Sequence, residues 1–181
     1  FKFPVVAHEQ AVGPIAKGDL LATGAYMFYT GFDEDFVPCH VKYKVKGGEK
    51  FIVGDRCFEV FHAPGHTVGS IHILDGENLF VGDTLFENGG IGWMDVHWGS
   101  QPQDYVETLQ LMHAHVGKMA YPGHGAPYRL KASMIRTAQK AAAFYIGGGH
   151  GLGSPRAPSQ YASRKNVPSP NRNTILVAGK A

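Results

Sequence analysis

Cysteine is nearly absent from this sequence. Cys39 and Cys57 are the only two, and they form no CxxC pair. That leaves no dithiol redox motif and predicts two small, buried, reduced residues. Long apolar runs are missing too: none approaches the ~20 residues needed to cross a bilayer. The first ten residues, FKFPVVAHEQ, show neither a charged segment leading into an apolar stretch nor a small-residue cleavage site. A cytoplasmic setting with no membrane partner is the resulting expectation. Acid is the third absence. Residues 1–125 hold all 15 acidic side chains and 8 of the 17 basic ones, whereas residues 126–181 hold 9 basic residues and no acid. A basic tail of this kind suits nucleic acid or anionic surfaces. No aromatic-interleaved basic motif accompanies it, so nucleic acid is not the expected partner.

What is present is enough for one domain with a core: 181 residues, 44% of them apolar. PVVAHE (4–9) reads as a buried strand, and AVGPIAKGDLL (11–21) as a short helix weakened by Gly13 and Pro14. A loop follows over 22–38, with Tyr26, Phe28, Tyr29, Phe32 and Phe36 among glycines. A meander comes next, with strands at 40–45, 50–53 and 57–61 separated by turns at Gly47-Gly48 and Gly54-Asp55. Strands at 70–74 and 78–81 flank the Asp75-Gly76 turn. Ser100 is a candidate N-cap for a helix over 102–116, and 130–145 forms the last helix. The domain is therefore expected over residues 1–146. Residues 147–181, rich in Gly, Pro and Ser, are expected to be poorly ordered, except that TILVA (174–178) suits an edge strand.

Three polar residues stand where a chain presents metal ligands. His66 follows FEVFH and the Pro64-Gly65 turn, Asp83 follows NLFVG, and His124 follows MAYPG. Each sits at the end of an apolar run beside glycine, which places it on a strand-end loop of a rigid scaffold. One such histidine is ordinarily a satisfied loop residue. Gly-Asp-Thr alone is only a turn signal. The three together, each ending an apolar run, carry the argument.

In this order and in these local frames, PGHT, GDT and PGHG resemble the metallo-β-lactamase superfamily, in its glyoxalase II-like and lactonase-like branches. The resemblance covers roughly residues 4–145. It implies an α+β fold, an αββα sandwich, with two zinc ions at one edge of the paired sheets. His66 would serve the first metal, Asp83 would bridge both, and His124 would serve the second. The His-x-His-x-Asp-His segment that opens the family signature does not occur here. The expectation is thus a domain incomplete at its N-terminus, binding zinc weakly or at one partial site, since zinc sites need three or four protein ligands. His62 and His72 are near in sequence, but neither is expected to be recruited. Exposed sheet edges in such a domain could be covered by a homodimer.

The implied chemistry is hydrolysis of an ester, thioester or lactone in a small molecule by metal-bound hydroxide, with Asp83 as the catalytic carboxylate. GDTLF and the following GGIG resemble hydroxyacylglutathione hydrolases, although Trp93 stands where that branch carries a basic residue. Phe86 stands where lactonases carry a tyrosine. Phe86 and Trp93, with Trp98, are candidate substrate contacts for an apolar acyl or aromatic group, and lid packing is the other reading. Two alternatives to the hydrolase remain open: a non-catalytic binding module that keeps the sandwich, and a nuclease of the same fold.

Overall fold

The computed structural model describes residues 3–24, 37–146 and 174–177. The aromatic loop falls almost entirely outside them, as does most of the basic tail. The chain opens with β1 (Val5–His8) and α1 (Glu9–Lys17). His8 caps the helix, its Nδ1 accepting from the Gln10 amide at 3.4 Å. The helix runs through Pro14 and ends at Gly18, whose φ of +63° is the left-handed cap glycine adopts without strain.

Seven further strands and two helices follow: β2 (Val41–Val45), β3 (Lys50–Val53), β4 (Arg56–His62), β5 (Ile71–Asp75), β6 (Asn78–Gly82), α2 (Pro102–Leu111), β7 (Met119–Pro122) and then β8 (Tyr128–Arg129), with α3 (Ala132–Ile146) after them. The 174–178 expectation is met by β9 (Thr174–Val177), which lies parallel to β3 at the sheet edge. Seven strands form one sheet in the order β8-β7-β6-β5-β4-β3-β9.

Four sequence expectations need correction. β2 is not part of the meander: it pairs in parallel with β1 in a separate two-stranded sheet. The Gly47-Gly48 turn therefore passes the chain between sheets. Glu49 holds it there, its carboxylate accepting from the Lys46 and Gly47 amides at 2.8 Å. The helix over 102–116 stops at Leu111 and tightens into a 3-10 turn, Met112–His115. Its N-cap is Gln101 rather than Ser100. The cysteines are not buried; Cys39 is partly exposed and Cys57 fully so, because Cys57 points outward from a strand near the sheet edge.

Register sorts the side chains. Leu74, Leu79 and Ala120 are neighbours across β5, β6 and β7, on the face that α2 and α3 cover. There they meet Tyr105, Leu109, Met112, Ile135 and Ala138 in the main core. Val60, Ile73, Phe80 and Tyr121 line up across the opposite face. β1 and β2 cover only its β3–β5 end, around Val45, Phe51 and Val60. β4, β6 and β7 all point the same way, since β4 and β6 are each antiparallel to β5, and β7 is parallel to β6. Their C-terminal ends thus share one edge of the sheet.

Candidate metal centre and active site

The three residues singled out in the sequence leave those three strand ends. β4 ends at His62, and the loop to β5 carries His66. β6 ends at Gly82, just before Asp83, and β7 ends at Pro122, just before Gly123 and His124. The Asp83 carboxylate lies between the two rings. His124 Nδ1 donates to Asp83 Oδ1 at 2.9 Å, and His66 Nε2 lies 3.8 Å from Asp83 Oδ2. Gly123 makes this approach possible, because a Cβ there would come within 2.5 Å of Asp83 Oδ1.

The tautomer of His66 follows from its surroundings. Its Nδ1 hydrogen-bonds the main-chain carbonyl of Trp93. A carbonyl only accepts, so Nδ1 carries a proton, and in the neutral form of the ring Nε2 presents its lone pair toward Asp83. Two electron-rich atoms facing each other call for something positive between them. An imidazole oriented by a carbonyl on its far nitrogen is the usual arrangement of a histidine metal ligand.

The fit to a metal is nonetheless incomplete. Among the described residues, no group of three or more His, Cys, Asp or Glu side chains meets in a geometry that could hold an ion. Nearby histidines are committed elsewhere. His62 Nε2 is 2.9 Å from the Val68 carbonyl, and its ring stacks on His8 at 3.8 Å. His72 is buried against the Thr84 hydroxyl at 2.9 Å, and burial, then the neighbouring His115, pushes its pKa down to about 3. The donors present match two zinc ions in kind but not in number.

What holds the site is mostly neutral and lies on the helix side. Tyr105 of α2 is fully buried; its hydroxyl donates to the carbonyls of Thr84 (2.9 Å) and Asp83 (3.0 Å) and accepts from the Gly92 amide. Gly65 packs on the same ring so closely that any Cβ would overlap it. Thr108 donates to the Pro64 carbonyl at 2.7 Å. Ser100, no helix cap, donates to the His66 carbonyl at 3.3 Å, and the Asp95 amide donates to the same oxygen at 2.9 Å. Partial burial raises the Asp95 pKa, with His66 and His97 pulling the other way. Sequence reasoning overlooked Tyr105, Ser100 and Asp95 as site residues. Helical spacing marked Tyr105 only as core, and a phenol that braces carbonyls has no motif.

The candidate substrate contacts part ways. Phe86 is half-buried and lines a groove that His124, Ala126 and Met134 also line. Trp93 has a side chain 73% exposed, and its link to the site is through its carbonyl.

The sequence profile of the metallo-beta-lactamase superfamily matches residues 3–150, and the chain belongs to that superfamily. It is similar to a hydroxyacylglutathione hydrolase from Hydrogenovibrio crunogenus, 37% identical over 89 residues, covering 49% of this chain and 32% of that protein. It is also similar to an acyl-coenzyme A thioesterase, MBLAC2, from Gallus gallus, 35% identical over 103 residues, covering 50% of this chain and 36% of the relative. The solved structure of TTHA1623 in a di-iron-bound form superposes with a TM-score of 0.55 at 25% identity, covering 78% of this chain and 63% of that one. The match thus spans about a third of the two curated relatives' own length. Among the described residues no helix is long and apolar enough to cross a membrane.

Proposed function

We propose that this chain carries the bridging carboxylate and two imidazoles of a divalent-metal hydrolase acting on a small ester, thioester or lactone. One observation supports this most: His66, Asp83 and His124 leave three parallel strand ends and meet, with the lone pair of His66 turned toward Asp83 by the Trp93 carbonyl. The relatives' names, one for a hydroxyacylglutathione and one for acyl-coenzyme A thioesters, favour a thioester. Zinc is the first expectation for imidazole and carboxylate donors, and iron suits them as well. When bound, such an ion supplies Lewis acidity and a water nucleophile at neutral pH.

The chain's own residues do the positioning. Asp83 separates the two imidazoles and fixes where a cation can sit. His66 presents Nε2 because its other nitrogen is held, and Tyr105 anchors the turn that carries Asp83. The test is a panel of thioester, lactone, lactam and phosphodiester substrates, with and without added zinc or iron. Metal-dependent thioester turnover that Asp83→Asn reduces by roughly a hundredfold or more is the expected result. No turnover with any metal would sink the proposal for this chain, and phosphodiester cleavage would replace it with the nuclease. A non-catalytic module is the second reading, favoured by the lack of a three-donor group among the described residues. Elemental analysis bears on both. At most one weakly held ion per chain is expected, and two tight ions would show that the donor set is complete.

A further inference from the structure

We infer that the groove beside His124 receives the acyl portion of the substrate, as an uncharged apolar chain of several carbons. This rests on the hydrolase reading. The groove measures about 690 Å³, within the range of small-ligand sites. His124 lines it and is hydrogen-bonded to Asp83, so a group attached to a carbonyl held at that cluster can enter it. Phe86, Ala126 and Met134 give it apolar walls.

Charge decides which part of a substrate fits. Glu87 is the only ionisable carboxylate among the described lining residues, and no lysine or arginine joins it. Away from His124, a carboxylate or phosphate placed there would meet a like charge and no lysine or arginine. The thiol portions of glutathione or coenzyme A thioesters are anionic, so they leave by another side and the acyl chain enters here. The walls are also built in advance. The Phe86 amide donates to the Gly90 carbonyl and the Gly89 amide to the Phe86 carbonyl, both at 2.9 Å. Asn88 Oδ1 caps the Gly90 amide at 2.9 Å. Gly89, at φ +81°, lies so close to Met134 and Thr137 of α3 that a side chain would not fit. Ordering the loop therefore costs an arriving chain little.

Binding to the metal-free chain tests this without turnover. Titration with octanamide, followed by calorimetry, is expected to show saturable binding, and the monoamide of octanedioic acid, with its terminal carboxylate, to bind at least tenfold more weakly. Glu87→Lys is expected to reverse that order. Ala126→Trp, an exposed site whose replacement fills the groove without touching the core, is expected to abolish octanamide binding. Met134→Asp should do the same, with circular dichroism reporting whether the helix survives. Absence of octanamide binding, or binding indifferent to Ala126→Trp, would overturn the assignment. Octanamide binding without hydrolysis of any thioester would instead remove the hydrolase reading and leave the groove intact. Hydrolysis of acyl thioesters with no dependence on chain length or on Ala126→Trp would do the reverse.

Discussion

The two faces of the seven-stranded sheet have unequal roles. On one, α2 and α3 close over Leu79, Val81 and Ala120, and α2 sends Tyr105 and Thr108 to brace the loops of Asp83 and His66. On the other, β1 and β2 cover one end only, and Phe80 stays 41% exposed, stacked on Tyr121 at 5.1 Å. The donors that are held firmly are thus the ones backed by helices. Scaffold and site are built from the same side, and among the described residues a donor set that is short in number accompanies a face that is short of cover.

Adjacent residues on β6 give the sharpest way to break this comparison. Leu79→Ala on the helix face should cost about 2–5 kcal/mol by urea unfolding, as for any large buried aliphatic. Comparable costs on both faces would erase the distinction. Acid is the next largest effect. His72, on the helix face, and His8 have pKa values lowered to about 3 and about 4, chiefly by burial. The unfolded chain binds those protons first, so stability is intact above pH ~6.5 and falls as pH drops toward 3. A loss on the order of 3 kcal/mol from His72 between pH 7 and pH 4 is expected, which His72→Gln should remove, leaving the slope that His8 contributes. A pH-independent unfolding midpoint would contradict the burial of His72. Tyr105→Phe, which removes one hydroxyl and strands its partners, should cost about 1–3 kcal/mol. Tyr121→Phe on the opposite face serves as its near-silent control. Smallest of all, Phe80→Ser should cost about 1 kcal/mol or less, because its ring is partly exposed and packs on one neighbour, Tyr121.

Much of the fold was legible because β-strand side chains alternate and the turns are spelled in glycine. NLFVG shows both: Leu79 and Val81 face the core, Phe80 faces out, and Gly82 takes φ +51° just before Asp83. The order PGHT, GDT, PGHG likewise marked three residues that the structure does bring together. What escaped was long-range. Gly47-Gly48 looks like a hairpin turn from sequence, yet whether a turn pairs its flanking strands or hands the chain to another sheet depends on β1, far upstream. Ser100 fits a helix cap by residue type, yet its hydroxyl is claimed by a carbonyl 34 residues away. The short β8 escaped because two residues carry no periodicity. The partner of His66 could not be read at all, since a main-chain carbonyl has no letter in the sequence.

That last point bears on how the site can change. Because the oxygen orienting His66 belongs to the backbone at position 93, every residue type offers it. The indole there can be exchanged for another side chain, altering what the mouth of the site shows to an arriving molecule, while the imidazole keeps its aim. Under the proposed function, substrate preference and ligand geometry would thus be uncoupled at one position, and only a detour in the path of the loop could join them again.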